Sequence, residues 1–257
     1  MGKFNVFIDG TWLFRICKAT GILAAKTENP NEHFRIDFEK LTKFIERQLG
    51  QFYGRPFEPA ELMLFTSIID VSKADPSWGD LTRISNGSYA RSQFVYSASQ
   101  AGYDVSNVFS IPLKQWMIRA IENDTYEEKM VDTTLVATLV ERTIKNPNFV
   151  QVIIAGDLDI LPGIKTVIPN YSENVVLVSS HPEQFDINNQ TSSFHLHSFE
   201  FKYGPIYLEN YLIDIMVGNY TYKCHHCGKV FARWREIPRH HNPLCGKCLT
   251  ERNARSS

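Results

Sequence analysis

The sequence predicts an α/β fold, in which a parallel sheet is covered by helices on both faces and is followed by a small cysteine-rich module. Three observations lead to this expectation. Short apolar runs alternate with stretches of helical periodicity, which is typical of parallel strands buried on both faces. Four of the five cysteines lie after residue 215, and the charge of the chain divides at the same point.

Five apolar runs predict buried strands, at 4–8, 61–69, 103–111, 150–155 and 175–179. Helices are predicted at 12–19, 37–49, 89–101, 131–144 and 160–168. The helix at 37–49 has the clearest boundaries, because Asp37 is suited to be its N-cap and Gly50 follows its end. Residues 70–88 are rich in Ser, Asp, Pro and Gly and predict a loop. The less regular stretch 181–215 is expected to complete the edge of the sheet.

The overall composition excludes several classes of protein. The chain has 257 residues, of which 43% are hydrophobic and 21% charged, so it is not a disordered chain, a collagen-like repeat or a supercharged coat protein. It contains no apolar run long enough to span a membrane. Its first residues lack the features of a signal peptide. We therefore expect a cytoplasmic protein.

The net charge of −1 is the sum of two unlike parts. Residues 216–257 contain eight Lys and Arg but two Glu, a charge of +6, and the rest of the chain carries −7. One interpretation is a division of labour, with carboxylates for metal or acid–base chemistry and cations for phosphate. Chance variation along a solvated surface explains the charges equally well.

The cysteines have the spacing of a metal site. Cys224 and Cys227 form one Cys-x2-Cys pair, and Cys245 and Cys248 form a second one after 17 residues. Two such pairs can bind a structural Zn²⁺ ion tetrahedrally, whereas two disulfides or a redox motif are the competing interpretations. Four thiolates already close the site, so the four neighbouring histidines are expected to face solvent or phosphate. The isolated Cys17 is expected to be a buried small hydrophobe.

Acidic residues follow two of the predicted strands. Asp9 follows the run at 4–8, and Asp157 and Asp159 follow the run at 150–155, while Asp132 lies near the start of a predicted helix. Chemistry in open α/β sheets collects at the carboxyl ends of the strands, and clustered carboxylates suit Mg²⁺. Taken singly, Asp9 and Asp132 are better explained as helix caps. Two acids directly after an apolar strand have no such packing role.

These motifs resemble the NYN (LabA-like) branch of the PIN-like nuclease superfamily. The resemblance covers roughly residues 1–205. It is carried by Asp9-Gly10-Thr11 after the first strand, Lys129-Met130-Val131-Asp132 at the start of a helix, and Gly156-Asp157-Leu158-Asp159 after a later strand. Two features depart from the family pattern: Leu139 and Val140 stand where some relatives have a further acid, and Ile160 replaces a common aromatic residue. The pattern in this chain is compatible with either one or two metal ions.

The resemblance implies a Rossmann-like α/β/α domain with Mg²⁺- or Mn²⁺-dependent endoribonuclease activity. It implies that the acids at these motifs, Asp9, Asp132, Asp157 and Asp159, bind the catalytic metal. By the same resemblance, Thr11 hydrogen-bonds a phosphate or a water. Lys129 is expected to contact the scissile phosphate or, with equal weight, to be a solvated cation.

The C-terminal segment resembles a zinc ribbon. Its aromatic residues alternate with cations, a pattern that suits RNA, so Arg233 and Arg235 are predicted to contact the substrate. Alternatively, the ribbon binds a protein partner or completes a homo-oligomer. We thus predict a nuclease domain at 1–210 and a zinc ribbon at 216–257, acting on single-stranded or structured RNA. The competing hypotheses are a catalytically silent RNA-binding adaptor and a DNA-acting 5′-nuclease-like enzyme.

Overall fold

The computed structural model describes residues 1–123, 126, 130–168, 170–181 and 199–256. The chain forms two compact units. The first contains Met1–Phe14, Phe57–Leu177 and the described end of Phe194–Pro205. The second contains Arg15–Pro56 and the described parts of Val178–Ser193 and Ile206–Ser257. These units divide the chain differently from the predicted boundary between 210 and 216, since the C-terminal module belongs to the same unit as Arg15–Pro56.

The main sheet has six parallel strands: β1 (Gly2–Asp9), β2 (Phe57–Asp70), β3 (Val108–Pro112), β4 (Val150–Ile154), β5 (Val175–Ser179) and β6 (Ile206–Tyr207). Their order across the sheet is β3-β2-β1-β4-β5-β6. Every residue of β4 and β5 is buried, as is expected for strands covered on both faces. The predicted parallel α/β fold is confirmed.

The helices are α1 (Gly10–Cys17), α2 (Phe38–Tyr53), α3 (Thr82–Gln100), α4 (Gln115–Glu122), α5 (Val131–Lys145), α6 (Leu161–Val167), α7 (Leu212–Ile215) and α8 (Gly246–Ser256). In the described residues, every helix is too short or too polar to cross a bilayer. Two predictions were wrong in detail, and one helix was not predicted. Helix α3 begins at Thr82, inside the predicted loop at 70–88, and the third strand begins at Val108 rather than 103. The helix that was not predicted is α4.

Helix α2 confirms the start that was predicted from the sequence but not the predicted end. The Oδ1 atom of Asp37 accepts a hydrogen bond from the Lys40 amide at 3.0 Å, which confirms the predicted N-cap. The predicted end was wrong, because Gly50 lies inside the helix. The helix ends instead at Gly54, whose φ of 65° is the left-handed conformation that glycine adopts without strain.

One local and two tertiary contacts explain the early start of α3. The Oδ1 atom of Asp80 accepts a hydrogen bond from the Thr82 amide at 2.9 Å. Ser88 and Arg91 then donate from their side chains to the carbonyl oxygens of Ile69 and Ser67, both in β2. These contacts stabilise a Ser-, Asn- and Gly-containing stretch whose intrinsic helix propensity is low.

The core of the first unit lies between the sheet and the two helices α5 and α6. It is made of fully or almost fully buried apolar side chains, which include Phe7, Phe65, Leu135, Leu139, Ile153, Ile164 and Leu177. The rings of Phe7 and Phe65 stack across β1 and β2 with their centroids 6.4 Å apart. This core supports the strands from which the candidate site projects.

The second unit contains α2, α7, α8 and an antiparallel hairpin formed by β7 (Tyr220–Lys223) and β8 (Val230–Arg233). The start of α2 is bonded to the segment that precedes the hairpin. The Asp37 amide donates to the Ile215 carbonyl at 2.8 Å, and Lys40 Nζ donates to the carbonyl oxygens of Met216 and Gly218 at 3.1 and 2.7 Å. These bonds hold the chain where it enters the hairpin.

Candidate functional site

Asp9 is the last residue of β1, and its side chain is buried, with 2% of its surface exposed. Its Oδ1 atom accepts a hydrogen bond from the Trp12 amide at 2.9 Å. This bond caps helix α1, which begins at the next residue. The cap role that the sequence favoured for Asp9 taken singly is therefore present, and it holds one oxygen of the carboxylate in a defined direction.

Two glycines beside the aspartates are required by close packing. A Cβ atom at Gly10 would lie 2.8 Å from Leu64 Cδ1 and 3.0 Å from the Phe65 carbonyl oxygen, both in β2. A Cβ atom at Gly156 would overlap the indole of Trp12, which is 3% exposed. The Asp-Gly and Gly-Asp pairs of the motifs thus let α1 pack directly against the strand ends.

Asp157 and Asp159 follow β4 on a short turn. The Oδ1 atom of Asp157 accepts a hydrogen bond from the Asp159 amide at 3.1 Å and so caps the 3-10 turn at Leu158–Ile160. The side chain of Asp157 is half-buried, whereas that of Asp159 is exposed. Asp132 is half-buried in the first turn of α5, where a carboxylate interacts favourably with the helix dipole.

The strand order of the sheet reverses between β1 and β4. The chain builds outward through β2 and β3 on one side and through β5 and β6 on the other. Ligands of open α/β sheets bind at the carboxyl ends of the strands beside such a reversal. Ile8 pairs with Ile154 in the parallel ladder. Asp9 is therefore the last residue of one flanking strand, and Asp157 lies just beyond the end of the other. Thr11 lies at the same edge, with its Oγ1 atom 3.0 Å from Thr66 Oγ1.

The four aspartates are not gathered as the cysteines are. In the ranges that the structure describes, one group of three or more Cys, His, Asp and Glu side chains has ligand atoms close enough to share a metal ion, and that group contains no aspartate. Asp9 is buried and caps helix α1, whereas Asp159 is exposed. Lys129, for which the resemblance implied a phosphate contact, lies outside the described residues.

That group consists of Cys224, Cys227, Cys245 and Cys248, whose sulfur atoms all lie within 4.8 Å of one another. Cys227 is exposed and the other three are buried, and none of the four forms a disulfide. Backbone bonds shape the first knuckle, where Gly228 adopts a φ of 73° and its amide donates to the Cys224 carbonyl at 3.0 Å. Four cysteines in this arrangement can bind a metal ion such as zinc.

The thiol of Cys224 is the one most disposed to ionise. Burial opposes its ionisation, but amide hydrogen bonds from Cys227, Cys245 and His226 favour the thiolate and lower its pKa to about 6. One of them, from the Cys245 amide to Cys224 Sγ, measures 3.4 Å. Burial and the neighbouring sulfur atoms raise the pKa of Cys248. They thereby disfavour the charged thiolate form of this cysteine. A cation bound by all four sulfur atoms would offset this effect, because metals bind the thiolate form.

Arg233 is engaged within its own unit. Its Nη1 atom donates to Glu28 Oε1 at 2.8 Å, and its guanidinium carbon lies 4.4 Å from the centroid of the Phe231 ring. Glu28 also accepts a hydrogen bond from the Gly246 amide at 2.9 Å. Glu28 was not predicted from the sequence, because no local pattern indicates that it pairs with Arg233, which lies 205 positions away.

The residues after Arg233 face solvent. Trp234 has 87% of its surface exposed, and Arg235 and Arg239 are also exposed. Phe231, by contrast, is 1% exposed and packs with the cysteines in the small core of the module. The structure thus separates two aromatic residues that the sequence pattern treated alike.

No protein-family model matches this chain, and no curated protein matches it. Among solved structures, a protein of unknown function from Vibrio parahaemolyticus is similar at 12% sequence identity, with a TM-score of 0.46. The similarity covers 84% of this chain and 96% of that protein. A similarity at this level defines neither fold nor function.

Proposed function

We propose that the chain is a metal-dependent endoribonuclease, with its reaction centre at the carboxyl edge of the parallel sheet. The observation that carries the proposal is the placement of Asp9 at the end of β1 and of Asp157 after β4, the two strands that flank the reversal of strand order. The resemblance of the surrounding motifs to NYN nucleases supports the choice of reaction. The basic C-terminal module supports RNA as the polymer.

The donor chemistry at this edge suits a hard cation. Carboxylate oxygens are the ligands that Mg²⁺ and Mn²⁺ select, and a carboxylate as buried as that of Asp9 gains from a nearby cation. Asp9 and Asp157 would hold the ion, and Asp132 and Asp159 would hold metal-bound waters or a second ion. When bound, the ion would supply an activated water and neutralise charge on the phosphate.

The chain itself contributes orientation at this edge. The Trp12 amide holds one oxygen of Asp9, and the Asp159 amide holds one oxygen of Asp157. Thr11 Oγ1 is paired with Thr66 Oγ1, and a hydroxyl group that accepts one hydrogen bond can donate its own proton to a phosphate oxygen. Side chains held in this way need little reordering when the substrate binds.

We assign a structural Zn²⁺ to the four cysteines. Four thiolates fill a tetrahedral coordination shell and leave no open position for a substrate or a reactive water. The buried core of the module consists of Cys224, Cys245, Cys248 and Phe231, with Tyr222, Ile237 and Leu244 partly buried against them. So small an apolar core needs the metal for its folding energy.

A second candidate is an RNA-binding protein that does not cleave. It is favoured by the capping bonds of Asp9 and Asp157, which give both residues a structural reason to be acidic. It is also favoured by the absence of a three-acid cluster from the described residues. This candidate predicts RNA binding that does not depend on Mg²⁺ or Mn²⁺ and is never followed by cleavage.

The decisive experiment compares two capping aspartates. Asp157→Asn removes the charge at the proposed centre, and Asp75→Asn is its matched control. Asp75 caps the 3-10 turn at Pro76–Trp78 in the same way, by accepting from the Ser77 amide at 2.8 Å. We expect Asp157→Asn to lower the rate of single-stranded RNA cleavage in Mn²⁺ by about 100-fold or more, which is the effect of losing a catalytic group. Asp75→Asn should cleave as the wild type does.

The metal dependence is tested by leaving out Mg²⁺ and Mn²⁺, not by adding EDTA, because a chelator would also attack the cysteine site. Cleavage that persists without these ions, or in Asp157→Asn, would exclude the proposed centre. RNA binding without cleavage under every condition would establish the second candidate. A DNA strand of the same sequence, assayed in parallel, separates a ribonuclease from a DNA-acting nuclease.

A further inference from the structure

The most exposed large hydrophobic side chain in the described part of the protein is that of Trp234. Its exposed fraction of 87% exceeds the 67% of Tyr89 and the 66% of Trp116. The small core beside it is completed by Phe231 instead. A single exposed tryptophan is not evidence of a binding site by itself, but the backbone of Trp234 is anchored and cations lie beside it in the chain.

The backbone on both sides of Trp234 is held in place. Before it, Arg233 pairs with Tyr220 in the β hairpin and is bonded to Glu28. After it, the Ile237 amide donates to Tyr222 Oη at 2.8 Å. The intervening residues Trp234, Arg235 and Glu236 are all exposed. The indole is therefore presented on a short segment anchored at both ends, which reduces the entropy lost when a ligand covers it.

The charge around the ring selects a polyanion. Residues 216–257 carry a net charge of +6, and Arg235 and Arg239 are exposed close to Trp234 in the chain. Cations that follow a phosphate backbone beside an aromatic ring are the combination used to bind single strands, because an unpaired base offers a face on which the ring can stack. Bases in a duplex already stack on one another and offer no such face to the ring.

We propose that Trp234 stacks on an unpaired base of single-stranded RNA while Arg235 contacts an adjacent phosphate. This rests on the proposed function, which makes RNA the polymer. The contact residues in this proposal are Trp234 and Arg235, and not Arg233, whose guanidinium is bonded to Glu28. Recognition by stacking tolerates any base, so the module favours unpaired over paired RNA without reading its sequence.

The test measures binding of the full chain to a short fluorescent oligouridine and to a duplex RNA of equal length, in the absence of Mg²⁺ and Mn²⁺. Trp234→Ala should weaken binding to the single strand about tenfold or more, and Trp234→Phe should retain most of it. Duplex binding should change little in either variant. Arg235→Ala should weaken binding and reduce its dependence on salt. Trp116→Ala, which removes another exposed indole, should bind as the wild type does.

Zinc content, measured for each variant, shows whether the module is still folded. If Trp234→Ala retains its zinc and binds the single strand as tightly as the wild type does, the proposal is overturned. The same result is expected if the Trp234 ring binds a protein partner instead of RNA. An equal loss for single strand and duplex would also overturn it. The binding test and the cleavage test are independent. Binding that depends on Trp234 in a protein without nuclease activity would support the stacking site and refute the proposed enzyme. Nuclease activity in a protein whose RNA binding does not depend on Trp234 would support the enzyme and refute the stacking site.

Discussion

Glu28 and Arg233 form an ion pair across 205 positions of the sequence, with Arg233 Nη1 2.8 Å from Glu28 Oε1. The same carboxylate accepts a hydrogen bond from the Gly246 amide, and the Glu28 amide donates to the Val230 carbonyl at 2.9 Å. One residue near the N-terminal end of the second unit therefore joins both ends of β8 to the start of α8. The C-terminal module is fastened by this side chain as well as by its cysteines.

Replacing Glu28 should loosen the module. We expect Glu28→Ala to destabilise it by about 1–2 kcal/mol, because bonds to a charged and only partly exposed group are lost. Hydrogen exchange should accelerate at Gly246 and along Val230–Arg233. The control is Glu39→Ala, which breaks the exposed helical pair of Glu39 and Lys43 and should cost little. Unchanged exchange in Glu28→Ala would show that the pair has no structural role.

The same contact predicts a dependence on pH. Burial tends to raise the pKa of Glu28, but the hydrogen bonds from Arg233 and Gly246 and the charge of Arg233 outweigh it, so the pKa lies below 4.5. A carboxyl group whose pKa is lower in the folded state than in the unfolded state stabilises the fold at pH values above its unfolded-state pKa. This contribution is lost as the pH falls through the folded-state pKa. The difference in stability between wild type and Glu28→Gln should be constant above pH 4.5 and shrink below it, as exchange or proteolysis at acidic pH can measure. A difference that grew on acidification would contradict the sign.

Removing the metal should unfold the C-terminal module selectively. We expect trypsin to cleave within 216–257 after zinc is chelated, while the core around the parallel sheet resists, because the small core of the module contains few apolar side chains besides the cysteines. Cys245→Ser should act like chelation. Cys17→Ala is the control, since burial raises the pKa of Cys17 and keeps it from competing for metal. Mass spectrometry of the fragments and a colorimetric zinc assay report both results, and full zinc content in Cys245→Ser would exclude a four-cysteine site.

Gly156 should tolerate no larger side chain. Gly156→Ala would force a methyl group into the Trp12 indole, at a cost of about 1–3 kcal/mol typical of overpacking. Gly87→Ala is the matched control. A Cβ atom added at Gly87 in α3 would have no atom within 4 Å, so the change should be neutral or raise stability by up to about 1 kcal/mol. Thermal unfolding of the two variants checks the contrast, and equal melting temperatures would rule out the close contact.

Much of the fold was readable from local patterns. The runs at 4–8, 150–155 and 175–179 are strands of the sheet, because uninterrupted apolar residues of that length are buried on both faces. Asp37 was a correct N-cap, since the capping bond involves residues three positions apart. Gly50 was a wrong end signal, because the residues that follow it still pack as a helix up to Gly54.

The candidate site was readable in its residues but not in its arrangement. The spacing of the cysteines predicted their cluster, because each Cys-x2-Cys pair brings two sulfur atoms together by itself. The sequence placed Asp9 and Asp157 after strands. That β1 and β4 are neighbours at the reversal of strand order is a property of the assembled sheet.

The sequence by itself determined the parallel α/β class, the strands of its centre and the cysteine site, because each depends on residues close together in the chain. The tertiary structure alone decided that Glu28 engages Arg233, that Trp12 requires Gly156, and that Phe231 is buried while Trp234 is exposed. The physical reason is that burial and pairing depend on which distant segments meet. Residues 231 and 234 have similar local surroundings in the sequence, and the packing of the module around its cysteines separates them.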